Sequence, residues 1–359
     1  MDFTFSFEQK MIQDSARKIF EKYYQMDDIR NFIESPAIRK EFLNEMAESG
    51  FIGIMASEEG GGLGLGAVDA LPILIEAGKS LVPFPVIENI IAAKILSELN
   101  SGISESFISG EKIATIAWTE LEEVQYDRQT LTFSGTCSLV PFAGFADCLI
   151  IPLKLVNPDR VPKLQLVLID LNDKNVSVNE MDNMDLTYPL FSVQIENYQI
   201  KDEQLLGSSE DGLPLYSEMK NLGALFLSAE MLGAAEKSLS KSVDYSKERV
   251  QFGQQIGKFQ ALKQLAAESH MKLESIRSAT EYAFWAFDQG IDEHSISITK
   301  GYTSESALKI IQNAIQMHGG IGFTWENETH FYLKRVLRAS HSLGDAYDHF
   351  EYIAEKVIG

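Results

Sequence analysis

Residues 249–260 read RVQFGQQIGKFQ, an arginine-led loop punctuated by Gly253 and Gly257. What stands on either side of it decides the fold. Before it, Leu225, Ala229, Leu232, Ala235, Leu239 and Val243 recur at spacings of three and four, a helix with one apolar face to bury in a bundle. After it, amphipathic stretches cover roughly 259–288, 301–318 and 330–357. An arginine at a helix end beside a glycine loop can present its guanidinium to a phosphate. Read alone, the same segment is also a capped helix end with a surface arginine.

A second loop, QMHGGIGFT at 316–324, follows one of those stretches. Glycines there let a backbone approach a ligand, and their N–H groups can bind an anion. The bland reading is a glycine helix cap. His318 taken singly reads as a packing or capping residue.

Further upstream the texture changes. From about Ile113, the segments IATIAW, LTFSG, DCLIIPL, LQLVLIDL and FSVQIENYQI are short and rich in apolar and β-branched residues. In the last, Phe191, Val193 and Ile195 alternate with polar neighbours, a half-buried strand pattern. The middle third therefore reads as a small antiparallel β domain. The first hundred or so residues read as helix. Ser6 and Gln9 make a capping-box pattern ahead of Ile12, Ala16, Ile19, Phe20 and Tyr23. The glycine run Gly60–Gly66 lacks the preceding strand of a dinucleotide fingerprint and reads as a tight turn between helices. The expected fold is α+β, mostly α: a helical domain over 1–112, a β domain over 113–206 and a helical bundle over 207–359.

At 359 residues the chain is too long for one ordinary core. Its net charge is −21, from 52 acidic and 31 basic residues, which argues against nucleic acid as a partner. The two cysteines, Cys137 and Cys148, fall in strand-like segments with no metal-ligand spacing and read as reduced, buried thiols. No apolar run approaches the roughly 18 residues of a membrane span. The N-terminus lacks the basic and apolar regions of a signal peptide. The expectation is a cytoplasmic protein with no membrane partner. His341, Asp345 and His349 could share a helix face, but a carboxylate-bridged metal bundle needs a Glu-x-x-His on each of two helices, and the sequence has none.

The two loops together, in this order and about seventy residues apart, resemble the acyl-CoA dehydrogenase family, whose pattern is R-x-x-FG-x-x-IG-x-FQ followed by Q-x-x-GG-x-G-[FY]. Further likenesses run along nearly the whole chain: the glycine text from Ala56 to Gly66, Ala117-Trp118-Thr119-Glu120, the strand pair from Gly135 to Asp147, and Leu205-Leu206-Gly207. The resemblance implies an N-terminal helical domain, a β domain and a C-terminal four-helix domain. It implies FAD lying across a subunit interface, with Thr119 against the ring. Arg249, Gln251 and Phe252 would reach a neighbour's FAD, and Gln316, Gly319 and Gly320 would cradle its ADP portion. The implied reaction is α,β-dehydrogenation of an acyl-CoA, with an electron-accepting flavoprotein as partner.

The chain departs from the family pattern around that chemistry. The usual base is the glutamate of a YEGT-like motif, and Leu343 stands there in Ser342-Leu343-Gly344-Asp345. An alternative family position falls near Gly223, with Glu218 five residues away on another face. Leu121–Asp127 replaces the substrate-contacting G-A-G-S-D loop, and Leu139-Val140-Pro141 replaces W-[IV]-[TS]. Asp345 is the remaining candidate base. The division implies one subunit of a heteromer, similar to the short members that act in pairs on bulky acyl-CoAs such as steroid side chains. A self-sufficient homo-oligomer and a non-catalytic partner subunit remain as alternatives.

Overall fold

The computed structural model describes residues 4–99, 101–119, 121–127, 132–155, 163–208, 212–291 and 294–358. Helices α1 (Phe7–Tyr23), α2 (Met26–Glu34), α3 (Lys40–Glu48), α4 (Ala67–Ser80), α5 (Val86–Leu99) and α6 (Ser101–Ile108) come first. Strands β1 (Ala114–Ile116), β2 (Glu122–Asp127), β3 (Thr132–Pro141), β4 (Cys148–Leu155), β5 (Lys163–Asp170), β6 (Val176–Met181), β7 (Leu190–Gln199) and β8 (Leu205–Leu206) follow. Then come α7 (Gly212–Glu248), the short strands β9 (Val250–Gln251) and β10 (Gln254–Gln255), and helices α8 (Gln260–Gln289), α9 (His294–His318), α10 (Thr329–His341) and α11 (Ala346–Ile358). Among the described residues no helix is long and apolar enough to cross a membrane.

By contact density the chain forms two compact units. One comprises Pro36–Gly66 and Pro83–Gly223 and contains the strands β1 to β8. Their sheets run β1-β4-β5-β8 and β2-β3-β7-β6. Phe133, Cys137, Val140, Phe191, Val193 and Ile195 from one sheet meet Leu149, Ile151, Val167 and Ile169 from the other in a single core. Phe191, Val193 and Ile195 are inward-facing on β7, as their alternation predicts. The expected antiparallel domain proves to be mixed, because β1 pairs in parallel with β4. Parallel neighbours need a long crossover, and the chain supplies one by building β2 and β3 in between. In β3 the register against β7 shifts between Cys137 and Val140, and Leu139 there takes φ +58° and turns outward.

Within the Gly60–Gly66 run, Gly60 and Gly62 press against this unit's own chain. A Cβ on Gly62 would meet the Ala56 carbonyl at 2.2 Å, and one on Gly60 would meet Ser97 Cβ at 2.5 Å. The Ser104 hydroxyl donates to the Gly60 carbonyl at 3.0 Å. This loop is glycine-rich so that it can pack against itself and its neighbours.

The other unit comprises Met1–Ser35, Ala67–Val82 and Ala224–Gly359. The Ser6–Gln9 capping box starts α1. The α7 stripe was expected to bury one face; within this unit its residues from Ala224 to Ala235 are buried on every side. Close approach explains this. A Cβ on Gly78 of α4 would strike the Glu230 carbonyl at 2.1 Å, and one on Gly233 of α7 would strike the Ile75 carbonyl at 2.0 Å. Glycines on both helices let their backbones nearly touch. Beside that crossing the buried Glu230 carboxylate accepts from Arg335 Nη1 at 2.8 Å and from Arg338 Nη2 at 2.7 Å, joining α7 to α10. The amphipathic pattern over 330–357 predicted one stretch. The structure breaks it at Ser342–Asp345, where Leu343 (φ +58°) and Gly344 (φ +93°) turn the chain between α10 and α11.

Candidate functional site

The sequence-predicted cofactor residues of the second unit fall at two loops at the ends of long helices. The helix α7 ends at Glu248. The Arg249 N–H still donates to the Tyr245 carbonyl at 2.9 Å, and the chain then makes a two-residue hairpin. Gln251 pairs with Gln254 and Val250 with Gln255. The turn residues Phe252 and Gly253 have φ of +53° and +76°, the left-handed pair a tight hairpin requires. Glycine meets that requirement freely, whereas phenylalanine adopts it against steric cost. Phe252 gains no burial in return, being 92% exposed. Arg249 and Gln251 are exposed beside it.

The second loop begins where α9 ends. Gln316 is exposed on the last turn, and Gly319–Phe323 form a short 3-10 turn. Gly319 takes φ +65° and needs to be glycine for that reason. Gly320 does not: its φ lies outside the left-handed region, and a Cβ there would meet nothing within 4 Å. Its neighbours Ile321 and Phe323 are large, apolar and exposed. The two loops are joined by a ring contact that sequence reading missed, His318 stacked on Tyr245 at 4.4 Å between centroids and 28° between planes. Nothing in the spacing of residues 245 and 318 signals this pair.

His318 is held in a defined tautomer. The Asn327 Oδ1 accepts from the Thr329 N–H at 2.9 Å and from its hydroxyl, which turns the amide NH₂ toward His318 Nδ1 at 3.2 Å. Nδ1 is therefore the acceptor, and Nε2 carries the proton. Nε2 is buried and has no hydrogen-bond partner among the described residues. Burial lowers the pKa of the ring, which keeps it neutral.

Asp345, the candidate base, is the N-cap of α11. Its Oδ1 accepts from the N–H groups of Tyr347 at 2.8 Å and Asp348 at 3.0 Å, and its own N–H donates to Asp348 Oδ2 at 3.0 Å. The bonds from Asp348 and Tyr347 hold its pKa below the ordinary carboxylate range. Just before it, His349 Nε2 bonds to the Leu343 carbonyl at 3.0 Å. The buried Lys300 donates to the carbonyls of Gly344 at 2.9 Å and Ser340 at 3.1 Å and to Ser304 Oγ at 3.3 Å. Desolvation lowers the Lys300 pKa to about 7. The backbone at Leu343 is thus rigidly held, with an apolar side chain at its tip.

In the first unit Thr119 is exposed just beyond β1, and the Tyr216 hydroxyl donates to the Trp118 carbonyl at 2.7 Å. Glu120 lies outside the described residues. Glu218 is engaged by Lys94 Nζ at 2.7 Å, and Gly223 is buried. Pro141 brings no N–H; its carbonyl accepts from the Thr115 hydroxyl. Among the described residues no cluster of His, Cys, Asp and Glu could hold a metal ion.

Residues 6–101 match the family model described as acyl-CoA dehydrogenase, N-terminal domain, and residues 210–356 match that of the C-terminal domain. The chain belongs to the acyl-CoA dehydrogenase family. Acyl-CoA dehydrogenase IpdE2 of Mycolicibacterium smegmatis is 26% identical over 343 residues, 94% of each protein. Among solved structures, PigA with FAD and proline is 26% identical with a TM-score of 0.90 over 99% of both chains. The Tcur3481-Tcur3483 steroid ACAD is 25% identical with a TM-score of 0.85 over 98% of this chain and 99% of that one.

Members of the acyl-CoA dehydrogenase family are FAD-dependent oxidoreductases of CH–CH groups, and the loops of this chain fit that cofactor. Gly320 leaves open the space that a side chain would fill, although its own fold does not ask for glycine. Exposed N–H groups at a glycine turn suit a pyrophosphate, and Arg249 supplies a guanidinium. Phe252 offers a flat apolar face of the kind an adenine or flavin ring covers.

Proposed function

We propose that this chain is one subunit of a heteromeric, FAD-dependent acyl-CoA dehydrogenase. Arg249, Gln251, Phe252, Gln316, Gly319 and Gly320 grip the ADP half of an FAD whose ring sits in a neighbouring subunit. The observation that carries this reading is the hairpin tip. Phe252 adopts a costly backbone conformation and is 92% exposed, its ring meeting that of Phe259 edge-on at 6.1 Å between centroids, so nearly all of its surface stays open to a ligand. Such an outlier makes sense when its contact is with another molecule. An FAD held by these residues would supply the acceptor for the β-hydride of the acyl thioester.

The proton side of the reaction belongs to the partner. Leu343 cannot accept a proton, and the lowered pKa of the Asp345 carboxylate weakens it as a base. The partner subunit, related to this one, supplies the base and the donors to the thioester oxygen. Thr119 keeps the family's ring-contacting position on this chain's own β domain. The three-part division at 112 and 206 is part of the same proposal. The solved Tcur3481-Tcur3483 steroid ACAD pairs two differently named chains, which supports a paired arrangement and a bulky acyl-CoA as substrate. Electrons then pass to an electron-accepting flavoprotein. The buried cysteines Cys137 and Cys148, the thiol of the latter pushed up to about 12 by burial, suit the reducing cytoplasm.

Arg249→Ala tests the grip. Loss of a charge-assisted phosphate contact costs about 2–3 kcal/mol, so FAD retention through gel filtration falls while the fold, in which Arg249 is exposed, is unaffected. Full flavin content in the variant would reduce Arg249 to a helix-end residue.

A further inference from the structure

Each cofactor loop is one helical turn or less from a ring of the Tyr245–His318 pair. The Tyr245 carbonyl accepts the Arg249 N–H, so the tyrosine sits on the last turn before the hairpin. His318 directly precedes Gly319, the first residue of the glycine turn. Both rings stand at the ends of long rigid elements, a 37-residue helix and a 25-residue one. Across the same gap Lys241 also pairs with Glu328, a partly exposed ion pair that water screens. The ring stack is direct, short and oriented, and Asn327 fixes the histidine from its far side.

A ligand gripped by both loops has a fixed length between its phosphates and its flat rings. The two loops must therefore stand at one separation before it arrives; otherwise binding has to order them. We propose that the Tyr245–His318 stack sets the spacing between the arginine hairpin and the glycine loop, which makes these two rings positioning residues for the dinucleotide cofactor. Neither needs to touch it. The inference rests on reading both loops as one FAD grip. It also explains a neutral histidine with an unused buried N–H: the ring is retained for its face and for its Nδ1 bond to Asn327.

The experiment uses the full chain, with its partner subunit if they purify together. Spin labels at Gln255→Cys and Thr324→Cys, both exposed, report the distance between the loops without any cofactor; Cys137 and Cys148 are buried and stay unlabelled. Tyr245→Phe keeps the ring and should match the parent in distance distribution and FAD affinity. Tyr245→Leu and His318→Leu remove the stack from either side. Each should broaden the distribution and weaken FAD binding roughly three- to tenfold, the range for an aromatic pair. An unchanged distribution in both leucine variants overturns the proposal. So does a broadened distribution with unchanged FAD affinity. If the parent chain binds no FAD in any assembly, the reading of the loops as an FAD grip falls, and this inference falls with it.

Discussion

Gly320→Ala should stabilise the flavin-free chain and weaken its hold on FAD, two effects of opposite sign from one methyl group. Gly320 lies in a 3-10 turn with φ outside the left-handed region, and its added Cβ would meet no atom within 4 Å. Alanine can therefore adopt the native backbone, and it lowers the entropy of the unfolded chain. Such replacements stabilise by about 0.4–1 kcal/mol. The same methyl occupies the space through which the backbone meets the cofactor. Overpacking of a close contact costs about 1–3 kcal/mol, which is roughly 5- to 150-fold in the dissociation constant. The neighbour Gly319 is the control. Its φ of +65° means that alanine there strains the fold, so stability and binding both fall. Thermal unfolding of flavin-free protein and a fluorescence titration with FAD measure the two quantities separately. Unchanged FAD affinity in Gly320→Ala would remove the argument that this glycine serves a ligand. A loss of stability would show that the chain itself requires it.

Two further outcomes follow from titratable groups. The folded pKa of Lys300, about 7, lies below the ordinary lysine value. Between about pH 7 and pH 10 the unfolded chain therefore holds a proton that the folded chain has released, and stability rises with pH across that window, by up to about 4 kcal/mol. Below pH 7 both states are protonated and the slope vanishes. The difference between the parent and Lys300→Met in denaturant unfolding isolates this contribution; equal pH slopes would contradict it. Asp345→Asn keeps a good N-cap for α11 and should leave the acyl-CoA oxidation rate of the assembled complex unchanged. A fall of about 10²–10⁴, the usual cost of losing a general base, would make Asp345 the base after all.

The pattern of helices, then strands, then helices was legible because hydrophobic period and turn residues act locally. Phe191, Val193 and Ile195 show it, facing inward as their alternation demands. The parallel pairing of β1 with β4 was not legible, since it depends on where the chain returns after β2 and β3. The break at Ser342–Asp345 was hidden for a related reason. Leu343 holds a left-handed backbone conformation beside carbonyls pinned by His349 and by Lys300, and Lys300 comes from α9, distant in sequence. In the site, the glycines could be read but not sorted. Gly62 faces its own chain and Gly320 faces open space, and identical letters conceal that difference. The Tyr245–His318 stack had no sequence signal, because it joins residues seventy-odd positions apart with no shared motif.

The central claim is a division of labour: this chain grips FAD, and a related subunit supplies the base. Anaerobic mixing of FAD-loaded protein with a series of acyl-CoAs, bulky ones included, tests it directly through bleaching of the flavin absorbance. The account predicts that the chain alone does not bleach on the timescale of seconds and that the complex with its partner does. Complete bleaching of the chain alone, at rates on the order of 10 per second ordinary for an enzyme, would contradict it.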